Sequence, residues 1–427
     1  MSCVLVVGGG GREHALAWAL SRSRHVDRLL VAPGNPGTAS CRRTRNVAVS
    51  PADIAGLVTL CRRESVDLAV IGPEDPLAAG IVDALDAAGV ATFGPRAACA
   101  RLEASKVHCK GFLIDNGIPT AAAEVFEDPH AALAHLASRP DVPVVKASGL
   151  AAGKGVIVPE TPDEAAAAIR AMLVERRFGS AGEQILLEER LRGREVSVLA
   201  FCDGDRFAVL PAAQDHKRLR AGDEGPNTGG MGAFTPSPAV DDRLIRQIGS
   251  RVIAPTLAAL ERAGTPYRGL LYAGLMITGD GPKVIEFNCR FGDPETQAVL
   301  PLLRSDLFEI MVACATGTLG DVSIDWAPMA SVAVVMASAG YPVAGGEPAA
   351  ISGLEAAAGE GCVVFHAGTG IVDGALHATG GRVLSVTATG PDVATAAALA
   401  HRGVGAIGFE GAQHRADIGR SPAGVHR

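Results

Sequence analysis

Within the first hundred residues short apolar runs alternate with helix-patterned stretches, an order that few folds satisfy. The runs are Val4 to Val7, Leu29 to Val31 and Leu68 to Ile71, with Arg12 to Leu20, Ile54 to Arg63 and Ala78 to Ala88 as the helical stretches. An apolar run without polar alternation suits a strand covered on both faces, and strand–helix–strand order predicts a parallel sheet with helices on both sides. Such sheets bind ligands at the carboxyl ends of their strands. That directs attention to the turns Gly8 to Gly11, Pro33 to Gly37 and Gly72 to Asp75.

A chain of 427 residues exceeds what one core organises, so several domains are expected. The division read from the pattern is an N-terminal parallel α/β domain over 1–101, a second unit over 102–326 and a small C-terminal α+β domain over 327–427. Inside the second unit, about 122–190 reads as an inserted lid-sized module, with alanine-rich helices between the strands Val142 to Lys146 and Gln184 to Glu188. A helix around Arg101 to Asp115 precedes it, and Pro211 to Pro238, rich in Gly, Pro and Asn, reads as a long functional loop.

Charge and cysteine usage remove several classes of function. The net charge is -7 with no basic stripe, which disfavours nucleic-acid binding. Nine scattered cysteines without a CxxC pair suit reduced thiols rather than disulfides or structural zinc. No signal peptide and no membrane-length apolar run is read, so the expected compartment is the cytoplasm, without a membrane partner. The expected assembly is a monomer or a weak homodimer.

Two glycine-rich turns are candidates for holding phosphate. Val4 to Glu13 reads VLVVGGGGRE, a strand running through glycines into a helix; it lacks the third glycine of the dinucleotide fingerprint, and a plain tight turn competes evenly with anion binding. The second, Gly149-Leu-Ala-Ala-Gly153-Lys154-Gly155, lies between strands, so it is not a Walker A loop. Lys146 and Lys154 flank it with positive charge of the kind phosphates need.

The strand Lys283-Val-Ile-Glu-Phe-Asn288 alternates, which puts Glu286, Asn288 and Arg290 on one face. Glu286 and Asn288 are hard oxygen ligands suited to magnesium held partly by nucleotide phosphates, and Arg290 can neutralise charge on a transferred phosphoryl group. The segments Gln214-Asp-His-Lys-Arg218 and Gly225-Pro-Asn-Thr-Gly-Gly-Met-Gly232 offer polar groups for a small carboxylate and a phosphate. His216 is given no role. Together these features point to an enzyme that binds ATP and a small carboxylate and transfers a phosphoryl group.

With those residues in view, the sequence resembles the ATP-grasp enzymes, and more closely their phosphoribosylamine–glycine ligase family. The similarity runs through GGREHALAW from Gly10, APGNPGT from Ala32, IGPEDPL from Ile71, KASGLAAGKGV from Lys146, QDHKR, GPNTGGMGA, YAGLM from Tyr272, RFGDPETQ from Arg290, GGRVL from Gly380 and ADIG from Ala416. It implies a pre-ATP-grasp domain, an ATP-grasp domain with its lid, and ligation of glycine to 5-phosphoribosylamine through glycyl phosphate. ATP and Mg2+, or Mn2+, are the implied cofactors.

The resemblance also implies roles. Lys106 and Lys146 contact the nucleotide, with Gly149, Gly153, Lys154 and Gly155 over its phosphates. Glu188, Glu189 and Leu191 line the adenine pocket, and Glu195 meets the ribose. Glu286 and Asn288 take the metal, while Arg290 and Asp293 serve catalysis. Asp215 is assigned to glycine's ammonium and Lys217 to substrate binding, Asn227, Gly229 and Gly230 to the ribose phosphate, and Arg12 and Glu13 close the site. Two stretches depart from the family pattern: Arg218-Leu-Arg-Ala-Gly222 is unusually basic, and His414-Arg415 precedes ADIG where an aromatic is commoner. The strand Tyr272 to Met276 carries no second carboxylate for the metal. A different ATP-grasp ligase and a nucleotide-binding module without catalysis are the alternatives.

Overall fold

The structure, a computed structural model, describes residues 2–151 and 154–420. Its first sheet is parallel and five-stranded, in the order Thr44–Asn46, Val26–Pro33, Ser2–Gly8, Leu68–Ile71, Ala91–Phe93. The central strand explains its own composition. Val4 and Val6 enter one core with Leu16 and Leu20, while Leu5 and Val7 enter another with Leu57, Leu60 and Ile81. Both faces are dry, so no polar alternation appears. The first of these cores continues through Leu199, Phe201, Leu270, Phe291 and Met311, which fuses the N-terminal sheet to the middle of the chain.

The middle of the chain carries two antiparallel sheets. An antiparallel sheet runs Phe207–Val209, Arg194–Gly204, Tyr267–Thr278, Gly281–Asn288. A second sheet, in the order Ala123–Phe126, Ile185–Glu188, Val144–Ala147, Val156–Ile157, forms the lid, with helices Pro129–Ser138 and Pro162–Leu173 sharing its core. The helix expected around Arg101 to Asp115 is two helices, Ala97–Ala104 and Lys106–Asp115. Ser105 separates them in an extended conformation and caps the second through His108 N. The stretch Ala78 to Ala88 divides likewise, because Gly80 takes a positive φ of 86° between Glu74–Ala78 and Ile81–Ala87.

The long loop expected over Pro211 to Pro238 is largely paired. Gln214–Asp215 and Gly232–Thr235 join the sheet of the C-terminal domain, in the order Gln214–Asp215, Gly232–Thr235, Ala330–Ala337, Arg382–Gly390, Val363–His366. Arg218–Arg220 and Glu224–Asn227 form a hairpin between them. Glycine, proline and asparagine hide the strands from any periodicity. Gly232–Thr235 is paired instead by backbone groups of Ser331 to Val334, about a hundred residues later in the chain, and it pairs Gln214–Asp215 in turn.

The basic departure at Arg218 to Gly222 and the unusual Arg415 turn out to be partners. Arg415 is 1 % exposed and binds Asp417 at 2.7 Å, Asp223 at 2.8 Å and the Arg218 carbonyl at 3.1 Å, while Asp417 accepts from Gly222 N at 2.9 Å. The C-terminal strap thereby pins the hairpin. Arg415→Ala should cost roughly 3 kcal/mol, the low end for a broken buried pair because both carboxylates keep some solvent. Burial pushes Asp417 up, but the Arg415 hydrogen bonds hold it down to about 2. A depressed carboxyl stabilises fully above its unfolded value of ~4 and loses that contribution towards its folded value. The gap between wild type and variant in urea unfolding should therefore narrow as pH falls below 4; a gap that widens there contradicts the clamp.

A second join unites the N- and C-terminal domains. His14 is buried, and its Nδ1 accepts from His366 N at 2.7 Å, while Asn35 Nδ2 donates to His366 O at 2.8 Å. Burial, helped by His366, pulls His14 down to about 3. A histidine depressed in the folded state stabilises fully above its unfolded pKa of ~6.5 and loses that contribution as pH falls. By pH 5 the loss should reach about 2 kcal/mol, and a His14→Gln variant should show a flatter decline. Equal slopes for the two proteins would remove His14 from this account.

Candidate active site

A cavity of about 730 Å³ opens where the three domains meet the lid, and sixteen of the residues assigned from sequence lie on its wall. They are Arg12, Lys106, Lys146, Gly155, Glu188, Glu189, Leu191, Glu195, Asp215, Lys217, Asn227, Gly229, Glu286, Asn288, Arg290 and Asp293. Glu13, Gly149, Lys154 and Gly230 lie outside that lining. Gly153 falls outside the described residues.

The lysine wall comes from the lid and the helix beneath it. Lys146 Nζ sits 2.7 Å from Glu188 Oε2 and donates to Ile285 O at 3.2 Å. Lys110, which the sequence did not single out, sits 3.3 Å from Glu188 Oε1 and donates to Thr120 Oγ1 at 2.7 Å. Glu188, 4 % exposed, is thus spent between two lysines rather than presented free to a base. Lys106, at the start of its helix, donates from Nζ to Gly149 O at 3.1 Å, and burial lowers its pKa against the pull of Glu286. Lys154 is exposed.

The opposite wall is the strand Gly281–Asn288. Phe287 and Cys289 are buried in the core, which turns Glu286, Asn288 and Arg290 to the cavity as the alternation requires. The register shift between Gly274 and Leu275 leaves Ile285 as the extra residue of a bulge, and its carbonyl is the one Lys146 reaches. Glu286 faces Gly274 across the pair, where a Cβ would come within 3.1 Å of Glu286 Cγ. The missing side chain leaves the carboxylate its room. Burial would raise Glu286, but Lys217, Lys146 and Lys106 outweigh it and keep its pKa below the usual value. An ionised carboxylate and the Asn288 amide oxygen two residues on make a donor set that fits a hard divalent cation whose other ligands are phosphates and water.

Arg290 is held before any substrate arrives. Its Nε is 3.2 Å from Glu74 Oε2 and its Nη2 is 2.8 Å from Glu103 Oε1 and 3.3 Å from Asn288 Oδ1. Glu103 also accepts from Cys289 N at 2.6 Å. No sequence motif marks either carboxylate: Glu103 lies in the last turn of the helix Ala97–Ala104, and Glu74 lies in IGPEDPL, whose pattern assigns its side chain no role. Asp293 lies 3.0 Å from Arg382 and accepts from Gln297 Nε2 at 2.7 Å.

The N-terminal glycine turn is closed by its own glutamate. Glu13 Oε2 accepts from Gly10 N at 2.7 Å and Oε1 meets Arg12 Nε at 2.6 Å, which caps the helix Gly11–Leu20. A Cβ on Gly8 or Gly72 would strike Glu13 at 2.5 and 2.1 Å. The glycines make space for a carboxylate where an anion would otherwise sit, so the tight-turn reading describes this loop. Arg12 turns the other way, to Phe291 O at 3.3 Å and Glu74 at 3.8 Å.

Between the walls, Lys217 pairs with Glu195 and lies 3.7 Å from Glu286 Oε1. Burial pushes Asp215 up to about 8, with Glu295 among the carboxylates adding to the rise and Lys217 opposing it. Glu295, 3 % exposed, accepts from Tyr272 OH at 3.0 Å, and Tyr272 lies 2.7 Å from Ser197 Oγ. This arrangement, cations fit for polyphosphate facing a strand whose oxygens fit a divalent cation, with acids between them, is suited to moving a phosphoryl group onto a small carboxylate.

Family profiles for phosphoribosylglycinamide synthetase match three successive stretches: the N domain over 2–103, the ATP-grasp (A) domain over 104–296 and the C domain over 331–421. A phosphoribosylamine–glycine ligase of Allochromatium vinosum is 50% identical over 417 residues, covering 97% of both chains. The trifunctional purine biosynthetic protein adenosine-3 of Gallus gallus is 53% identical over 419 residues, 97% of this chain; the chain spans only 42% of that relative's length. The crystal structure of phosphoribosylamine–glycine ligase from Thermotoga maritima superposes with a TM-score of 0.85 at 32% identity, covering 97% of this chain and 100% of that one. The MgADP-bound biotin carboxylase domain of Hydrogenobacter thermophilus 2-oxoglutarate carboxylase shares the fold at a TM-score of 0.71 and 14% identity. With all three domains matched in order and a full-length bacterial relative at one-half identity, the chain belongs to the phosphoribosylglycinamide synthetase family.

Proposed function

We propose that this protein joins glycine to 5-phosphoribosylamine at the expense of ATP, making glycinamide ribonucleotide, ADP and phosphate. The observation that carries this reading is the confrontation of Lys106 and Lys146 with Glu286, Asn288 and Arg290 across one cavity.

A carboxylate acylates amines only after one of its oxygens becomes a leaving group. A glycine carboxylate oxygen attacks the γ-phosphorus, the bond to the β–γ bridging oxygen breaks and ADP departs. The amine nitrogen of phosphoribosylamine then attacks the acyl carbon. Phosphate leaves with the glycine-derived oxygen, and the amine loses a proton. Lys106 and Lys146 hold the polyphosphate, and Arg290 offsets charge on the phosphoryl group in flight. Glu286 and Asn288 would hold the divalent cation, for which we propose magnesium; bound with ATP, it would screen the phosphate charges. Glu189 and Leu191 are assigned to adenine, Glu195 to the ribose, and Asp215 to glycine's ammonium. The lid keeps water from the acyl phosphate. Nine free cysteines and an ATP substrate agree with a cytoplasmic enzyme.

Glycine labelled with oxygen-18 in its carboxylate tests the chemistry. One labelled oxygen should appear in each phosphate released, and unlabelled phosphate would exclude an acyl phosphate route.

A further inference from the structure

Beyond the lysines and the strand Gly281–Asn288, the cavity is lined by groups from all three domains: Arg12 and Glu74 from the N-terminal domain, Gly229 and Asp293 from the middle, and Arg382 from the C-terminal domain. Gly229 is among the residues assigned to the ribose phosphate of the amine substrate, which would bring that substrate to this part of the lining. The C-terminal domain holds it in a specific way. Arg382 Nη1 donates to Gly229 O at 2.6 Å and to Asp293 O at 2.8 Å, and Nη2 lies 3.0 Å from Asp293 Oδ2. Tyr341 OH accepts from Gly229 N at 2.8 Å.

Gly229 therefore has its N–H and its carbonyl fixed by one neighbouring domain, and a Cβ there would stand 3.3 Å from both Arg382 Cζ and Tyr341 OH. The next residue, Gly230 with φ of 110°, packs so closely on Pro294 that a Cβ would meet its Cδ at 2.5 Å. Tyr341 is itself fixed by Gly381, where a Cβ would meet its ring at 2.7 Å. One guanidinium thus sets the distance between two segments that approach from different parts of the chain, the turn at 228–230 and the residue after Phe291-Gly292. A planar fork with several donors suits this task, and a lysine ammonium reproduces only part of it.

We propose that Arg382 and Tyr341 are positioning residues for the amine substrate, so that the C-terminal domain is part of the phosphoribosylamine site rather than a support for it. The proposal rests on the ligase reading above, and it concerns residues that make no contact with the nucleotide wall. Arg382 and Tyr341 act through the placement of Gly229, assigned to the ribose phosphate, and Arg382 also holds Asp293.

Steady-state kinetics of the full chain, with each substrate varied in turn, separates the possibilities. Arg382→Ala should raise KM for phosphoribosylamine about tenfold or more, the equivalent of one lost charge-assisted hydrogen bond, while KM for ATP stays within about twofold. Arg382→Lys should recover part of that loss. Tyr341→Phe removes a single oxygen without disturbing the core and should shift KM for the same substrate in the same direction by a smaller factor. The role is overturned if either variant leaves that KM unchanged, or if Arg382→Ala raises the values for ATP and phosphoribosylamine alike. A wild-type enzyme that releases phosphate without needing phosphoribosylamine would fail at an earlier step, and the assigned reaction would fall together with this role.

Discussion

Replacing Arg290 by alanine should lower kcat by about two to three orders of magnitude while ATP affinity changes only a few-fold. The guanidinium stands just past the strand that carries Glu286 and Asn288, and Glu74 and Glu103 fix its orientation in advance. A donor already in place spends no reorganisation when charge develops on the phosphoryl oxygens. In the proposed arrangement Lys106 and Lys146 would still supply the ground-state contacts to the nucleotide, so binding should survive. The substitution leaves Glu103, 8 % exposed, without its cation, so some loss of thermal stability should accompany it. Arg290→Lys separates the effects: it keeps a positive charge near Glu103 but loses the fork, and should restore stability more than turnover. ATP binding by calorimetry and single-turnover phosphate release measure the two quantities. Equal losses in both would contradict a role confined to the transition state.

Glu286→Gln should shift the magnesium dependence of activity to concentrations about tenfold higher or more, and lower the maximum rate as well. Glutamine preserves size and one oxygen, so the room left by Gly274 stays filled and the strand is not disturbed. What disappears is the negative charge that Lys217, Lys146 and Lys106 keep ionised against burial. The neighbouring strand offers no substitute, since Tyr272 to Met276 contributes no carboxylate. A magnesium titration superimposable on that of wild type would exclude Glu286 as a ligand.

Much of this arrangement was legible in the sequence where local rules decide it. The dry central strand shows itself as an unbroken apolar run, and the alternation of Lys283 to Asn288 puts Glu286, Asn288 and Arg290 on one face, which is the face that lines the cavity. What escaped are features set by distant partners. Gln214–Asp215 and Gly232–Thr235 carry no strand pattern because Gln214–Asp215 pairs only with Gly232–Thr235, which in turn is paired by Ala330–Ala337. Glu74, Glu103 and Arg382 have meaning only through Arg290 and Asp293, to which no spacing links them. Arg415 read as a departure at one end of the chain and Arg218 to Gly222 as another in its middle, yet the two meet in one clamp. Glu188, assigned to the adenine pocket, is committed to Lys146 and Lys110, and Glu13, assigned to the substrate, to its own helix cap. In each case a motif identified the residue and left its partner open.

The central claim is that this cavity couples cleavage of ATP to the joining of two small molecules. Phosphate release by the purified chain, measured with ATP, magnesium, glycine and freshly generated phosphoribosylamine and then with each left out in turn, tests it most directly. The account predicts sustained release only in the complete mixture, with formation of one amide for each phosphate. Release that continues at the same rate without glycine or without the amine, or none in the complete mixture, would contradict it.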